Sequence, residues 1–239
     1  MKFLVSIPML YAAQCCKETL NSFVGLDNVD ILIGDNGADI DVKLVISEFE
    51  NSKNIFIIRE PENIYVNPIW NKFIKYFIDN PQYDYLIIVN SDLPIQRDFA
   101  KVLENRLSIN PDEIPIPTLN TDKNILTQTV DINIQEAQVV DSGTAGVFIV
   151  ISRKLANIVY PIPPEIKVWF GDNWIYDIAR GIGIKTVIPP NLIAFHHWSQ
   201  TVQKVNGISE IIEDDKRQWE FLVKNKMYNI ISKFNETNN

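Results

Sequence analysis

Several short polar stretches stand directly beside apolar runs, and their side chains could do chemistry. Asn90-Ser91-Asp92 follows the run Tyr85–Val89. A carboxylate there either caps the next element or binds a hard divalent cation, which takes oxygen ligands and keeps waters and phosphate oxygens in its shell. Such a cation would neutralise a nucleoside diphosphate as it leaves. Asp35-Asn36-Gly37 closes a second apolar run. These residue types favour a turn, and Asp35 would also come within reach of a nucleotide's base or ribose hydroxyls. Asp172, in Gly171-Asp172-Asn173-Trp174, opens a predicted helix, where the dipole favours its charge. The only two histidines, His196 and His197, precede Trp198-Ser199-Gln200-Thr201. Imidazole ligates transition metals, and manganese accepts mixed oxygen and nitrogen donors. Trp169, Trp174 and Trp198 flank these positions, where they either fill core or stack on flat rings.

The elements that must position these groups alternate. Phe3–Ile7, Val29–Ile33, Asn54–Ile58 and Tyr85–Val89 are short apolar runs that predict strands. Gln14–Val24, Val42–Phe49 and Pro68–Ile78 carry apolar residues at helical spacing. Strand–helix–strand repetition predicts an α/β fold with a mostly parallel sheet and right-handed crossovers. In such sheets ligands gather outside the carboxyl ends of the strands, where Asp35 and Asp92 fall. Residues 108–141 are rich in Pro, Asn and Thr and predict extended segments and loops. Gly146–Ser152 predicts another buried strand, Asp172–Arg180 a helix, and Lys185–Ile188 a strand. From Ser209 onward, Ile211, Ile212, Trp219, Leu222, Val223 and Met227 recur at helical intervals and predict an amphipathic tail helix.

Composition narrows the class. The chain has 239 residues, 46% of them hydrophobic and 22% charged, enough for one large globular domain. Thirty acidic against 22 basic residues give a net charge of -8, which argues against broad binding to phosphate backbones or anionic lipid. Cys15 and Cys16 are adjacent and poorly placed for a disulfide, which suits a reducing, cytoplasmic setting. Lys2, the run Phe3–Leu10 and Ala12-Ala13-Gln14-Cys15 superficially resemble a lipoprotein signal. Pro8 interrupts the run and Gln14 stands where a small residue is wanted, so a buried first strand is expected. No run approaches the roughly 20 apolar residues of a membrane span.

Taken together, these residues resemble the large inverting family two of GT-A glycosyltransferases and its relatives. The motifs that carry the resemblance are Leu4-Val5-Ser6-Ile7-Pro8, the pair Asp35-Asn36, the segment Glu62-Asn63-Ile64 with Asn71, and Asn90-Ser91-Asp92 in the place of the DXD motif. Gly143-Thr144-Ala145-Gly146 ahead of Phe148-Ile149-Val150 looks like the family's glycine-led strand beside the sugar. The resemblance implies a GT-A (Rossmann-like) fold, a nucleotide-diphosphate sugar donor, a Mn2+ or Mg2+ cofactor and a hydroxyl acceptor. It implies donor-site roles for Pro8, Asp35, Asn63, Asn71, Asn90, Ser91, Asp92, Gly146 and Trp174. Asp172 falls where the family has its catalytic base, with Gly171 in the place of a second carboxylate. The metal would be held by Asp92 and by His197, the residue four before Thr201, with His196 as the competing choice.

The expected organisation is a GT-A domain over residues 1–206, with a donor half of about 1–107 and an acceptor half of about 108–206. The tail, 207–239, packs on it. Two other classes compete: a sugar-nucleotide pyrophosphorylase, which would need a glycine-rich basic loop that Met9–Gln14 lacks, and a catalytically silent sugar-binding module. The acceptor is a saccharide or other hydroxyl compound, with a modified DNA base as a further option that the acidic balance disfavours.

Overall fold

A computed structural model of the chain describes residues 1–141, 146–198 and 204–238. The first half is a regular alternation: β1 (Phe3–Met9), α1 (Ala13–Phe23), β2 (Val29–Asn36), α2 (Ile40–Phe49), β3 (Ile55–Glu60), α3 (Val66–Asp79), β4 (Tyr85–Val89) and α4 (Phe99–Ile109). Short strands β5 (Ile114–Pro115), β6 (Thr118–Asn120) and β7 (Gln138–Val140) follow, with a single 3-10 turn at Lys123–Thr127. Then come β8 (Phe148–Ser152), α5 (Arg153–Val159), α6 (Gly171–Gly181), β9 (Thr186–Ile188) and β10 (Ile193–Phe195). The tail is α7 (Ile208–Gln218) and α8 (Lys224–Asn238), joined by a π-helical stretch at Trp219–Val223.

The main sheet has the order β3-β2-β1-β4-β8, parallel except for β8, which runs antiparallel to β4. Alternation along β1 explains the two cores. Phe3, Val5, Ile7 and Met9 face α1, α2 and α4, while Leu4 faces α3, α5 and α6. All of these side chains are buried, and each contributes on the order of 1.5–3 kcal/mol of hydrophobic stabilisation. The run Phe3–Met9 is thus the centre of the sheet. Strand β2 runs three residues past the predicted end, through Gly34 to Asn36. Glycine is required there because a Cβ on Gly34 would lie 2.7 Å from the Phe73 ring, so α3 could not approach as closely. Helix α4 was not anticipated in the sequence; its buried residues Phe99, Val102, Leu103 and Leu107 follow a Pro- and Gln-containing turn that obscured its start.

Two small sheets extend the edge: β5-β9-β7, and β10 paired parallel with β6. The tail docks by stacking Trp219 on Phe170, with centroids 5.1 Å apart and planes 10° from parallel, and by seating Ile231 against Gly181. Among the described residues no helix is long and apolar enough to cross a membrane.

Candidate active site

Strand order reverses between β1 and β4, because β2 and β3 lie on one side of β1 and β4 and β8 on the other. Crossovers therefore diverge above these two carboxyl ends and leave a crevice. A cleft of about 180 Å³ opens there. Pro8, Met9 and Leu10 line it from β1, Asn90-Ser91-Asp92 from β4, and Asn36, Asn63 and Tyr65 from the β2 side. Val147, Val168 and His196 complete the wall, and Val205 and Ile208 reach in from the start of the tail.

The β4 end is held on three sides. The Asn90 N–H donates to the Val147 carbonyl at 2.9 Å, the Thr19 hydroxyl donates to the Ser91 carbonyl at 3.0 Å, and the His197 N–H donates to the Asp92 carbonyl at 3.1 Å. The last bond belongs to an antiparallel ribbon in which Phe195 N–H meets the Pro94 carbonyl and Gln96 N–H meets the Ile193 carbonyl. This ribbon brings both histidines to Asp92, but consecutive side chains in extended backbone point opposite ways. His196 turns into the cleft, with Nε2 3.5 Å from Asp92 Oδ1, both residues being about 5% exposed. His197 turns outward, with Nε2 3.0 Å from Glu18 Oε2. Glu18 also receives Lys123 and Gln14. Partial burial alone would raise the Glu18 carboxyl, but those donors outweigh it and hold it below the usual range. The arrangement therefore brings the imidazole of His196 to the Asp92 carboxylate, and that of His197 to Glu18.

The β2 end is a clamp. Asn36 Oδ1 accepts from Ile64 N–H at 3.0 Å and its Nδ2 donates to Asn63 Oδ1 at 3.1 Å and the Tyr65 carbonyl at 3.3 Å. Asn63 Oδ1 in turn accepts the Tyr65 N–H. Asp35 is turned away from the cleft lining: Oδ1 accepts the Ala38 N–H at 3.0 Å and Oδ2 meets Arg59, its cross-strand partner, at 3.4 Å. Asn71 and Trp174 are likewise committed elsewhere. Asn71 exchanges two hydrogen bonds with the Ile162 backbone, and the buried Trp174 indole donates to the Val159 carbonyl at 2.7 Å. Trp169 and Trp198 remain about half exposed, the latter ring 4.7 Å from that of His196.

Asp172 opens α6. Its Oδ2 accepts the Gly146 N–H at 3.0 Å and its Oδ1 the Asn173 N–H at 2.9 Å. Burial raises its carboxyl above the ordinary Asp range, against the opposing pull of these donors. Gly171 has a steric cause: a Cβ there would run into the Asn67 carboxamide, which is held by the Ile166 and Trp169 carbonyls. No room exists for a second carboxylate at that position. Residues 143–145 and Thr201, two further expected contributors, lie outside the described residues.

The candidate residues that periodicity and spacing did not reveal are Asn67, Tyr65, Val168 and Asp215. Asp215 did leave a signal, since it interrupts the apolar stripe four residues after Ile211 and four before Trp219.

A mostly parallel α/β sheet with one antiparallel strand beside β4 and a crevice at its switch point is the architecture of the GT-A fold, and the likeness to solved structures bears this out. No family model matches the sequence, and no curated protein matches it. Solved structures do. The S. aureus TarS 1-349 complex with UDP aligns with a TM-score of 0.65 at 15% identity, over 98% of this chain and 70% of that one. GalNAc-T7 with UDP, GalNAc and Mn2+ aligns with a TM-score of 0.62 at 11% identity, over 92% of this chain and 49% of that one. The mannosyltransferase PcManGT from Pyrobaculum calidifontis, in complex with GDP-Man and Mn2+, aligns with a TM-score of 0.61 at 12% identity, over 83% and 57%. At identities this low, the structural likeness establishes the shared fold alone.

Proposed function

We propose that this chain is an inverting glycosyltransferase that moves a sugar from a nucleoside diphosphate sugar to an acceptor hydroxyl with the help of a divalent cation. The observation that carries this reading is the Gly146-Val147 dipeptide. Gly146 donates to the Asp172 carboxylate and Val147 accepts from Asn90, so a partly buried carboxylate and the β4 end are tied to two adjacent residues.

Asp92 and His196 fit a cation. Their donor atoms are 3.5 Å apart at the cleft wall, the oxygen–nitrogen set suits manganese, and His196 Nδ1 is buried without a hydrogen-bond partner among the described residues. Waters and diphosphate oxygens would complete the shell, as hard cations require. When bound, the cation supplies charge neutralisation for the departing diphosphate. Asp172 accepts the acceptor's proton; its burial makes it a stronger base than a solvated Asp, and the two N–H donors fix its orientation. The Asn36–Asn63 clamp shapes the wall against which the nucleoside lies. Residues from about 1 to 107 hold most of the donor site, and those from about 108 to 206 serve the acceptor while contributing His196 to the cation. UDP, GDP-Man and Mn2+ in the aligned structures support this choice of ligands.

Thermal stabilisation by UDP-, GDP- and dTDP-sugars with Mn2+ tests the reading, because a ligand at a hundred times its Kd adds about 2.7 kcal/mol of apparent stability. A positive donor should also be hydrolysed slowly without acceptor. No shift with any donor would overturn the proposal, and binding without hydrolysis or transfer would make the chain a sugar-nucleotide-binding module.

A further inference from the structure

Asp215 belongs to the tail, has no part in the reaction above, and is only 1% exposed. Its carboxylate accepts the N–H groups of three consecutive residues: Oδ1 from Lys167 at 2.8 Å, and Oδ2 from Val168 at 2.7 Å and Trp169 at 2.8 Å. Asn67 holds the same segment from the other side. Its Nδ2 donates to the Ile166 and Trp169 carbonyls, and its N–H donates to the Lys167 carbonyl. The backbone of residues 166–169 is thus held from both sides, by the Asp215 carboxylate and by Asn67.

The fixed segment leads directly into the proposed base. Phe170 follows with φ 65, in the left-handed region that non-glycine residues avoid at a cost of about 1–3 kcal/mol. Its ring stacks on Trp219, which lies one helical turn beyond Asp215 on the same face of the tail. Gly171 and Asp172 come next, and the Phe170 carbonyl accepts the Trp174 N–H to close the first turn of α6. Strain at Phe170 persists where the surroundings over-determine the backbone, and the tail contributes to this through Asp215 and Trp219. Val168 lines the cleft and Trp169 stays half exposed beside it.

We infer that Asp215 is a positioning residue: through this one carboxylate the tail helix sets the turn that carries Val168, Trp169 and Asp172, and so governs the acceptor side of the reaction. The inference rests on the transferase reading for its consequence but not for its geometry. It makes the tail part of the active site.

The test is Asp215→Asn in the full chain, which keeps the shape but turns an NH2 toward backbone donors. Amide exchange at Lys167, Val168 and Trp169 should speed by about tenfold or more, the loss of one hydrogen bond to a charged group. The Asp172 carboxyl, followed by carbon NMR, should titrate closer to an ordinary Asp as its turn loosens. Exchange at Ile64 and Tyr65, on the donor side, should stay unchanged. With UDP-GlcNAc and Mn2+, kcat for donor hydrolysis should fall about tenfold or more while KM stays within about threefold. Asp214→Asn, which alters only a surface pair with Arg217, should change none of these. Faster loop exchange with an unmoved Asp172 titration would reduce Asp215 to a tertiary staple and overturn the inference. Should Asp215→Asn not fold, the wild type decides: amides 167–169 must be as protected as those of α7, and exchange at loop rates overturns the clamp. If the wild type turns over no donor, the transferase reading fails, while exchange and titration still decide the positioning role.

Discussion

Asp92 Oδ1 and His196 Nε2 face each other across 3.5 Å although one follows β4 and the other follows β10. Neither is adjacent to the other in any local pattern; the ribbon that pairs residues 92–96 with 193–197 creates the relationship. Because His197 is turned to Glu18, the two neighbouring imidazoles have separable roles.

That separation is directly measurable. His196→Ala should raise the Mn2+ concentration needed for nucleotide binding by about tenfold or more, and Asp92→Ala should remove the metal-dependent part of binding with the fold intact. His197→Ala should leave the Mn2+ requirement within about twofold. Calorimetry with UDP at several Mn2+ concentrations distinguishes them, and a stronger effect at His197 would move the ligand by one residue.

Asp172→Asn should lower turnover by about 10²–10⁴-fold, the usual cost of losing a general base, with donor affinity nearly unchanged. The pH profile follows from the sign of its shift. A base must be ionised, and burial raises this carboxyl, so activity should be full above the raised value and fall as pH drops through it, at a higher pH than a solvated Asp would give. An acid limb at the ordinary Asp position, or near-normal turnover in the variant, would remove Asp172 from the role.

Gly171→Ala should destabilise the fold. The new methyl meets an Asn67 carboxamide that cannot swing away without releasing the Ile166 and Trp169 carbonyls. Overpacking of this kind costs about 1–3 kcal/mol, or on the order of 2–10 °C in Tm for a chain this long. An unchanged melting temperature would show that the loop yields freely.

Asn36→Ala removes the partner of Ile64 N–H and of Asn63, so the cleft wall should loosen and nucleotide affinity fall by about tenfold. Asp35→Ala should instead act mainly on stability, since its carboxylate serves Ala38 and Arg59. Titrating both variants with UDP, alongside their melting curves, tests the division; a larger binding loss at Asp35 would return the nucleoside contact to that residue.

Much of the scaffold was legible in the sequence because it rests on local periodicity. The run Tyr85–Val89 is a strand with the bounds its apolar pattern predicts, and the Ile69, Trp70, Phe73, Ile74 and Phe77 spacing gives α3 its buried face. Alternation of such runs with amphipathic helices dictates a mostly parallel sheet, and the sheet dictates that Asp35, Asn36 and Asp92 stand at its carboxyl edge. What the sequence could not determine was direction and partnership at that edge. Whether Asp35 or Asn36 faces the cleft, and whether His196 or His197 joins Asp92, turns on alternating side chains in segments whose pairing is non-local. Gly171 shows the same limit, since its reason is the carboxamide of Asn67 on another helix. So does Asp215, which reads as one charge in the run Glu213-Asp214-Asp215-Lys216 until folding turns it inward onto three backbone N–H groups. Periodicity encodes which face of an element is buried; only the tertiary structure brings together polar groups from distant elements, because their hydrogen bonds depend on geometry that no local pattern records.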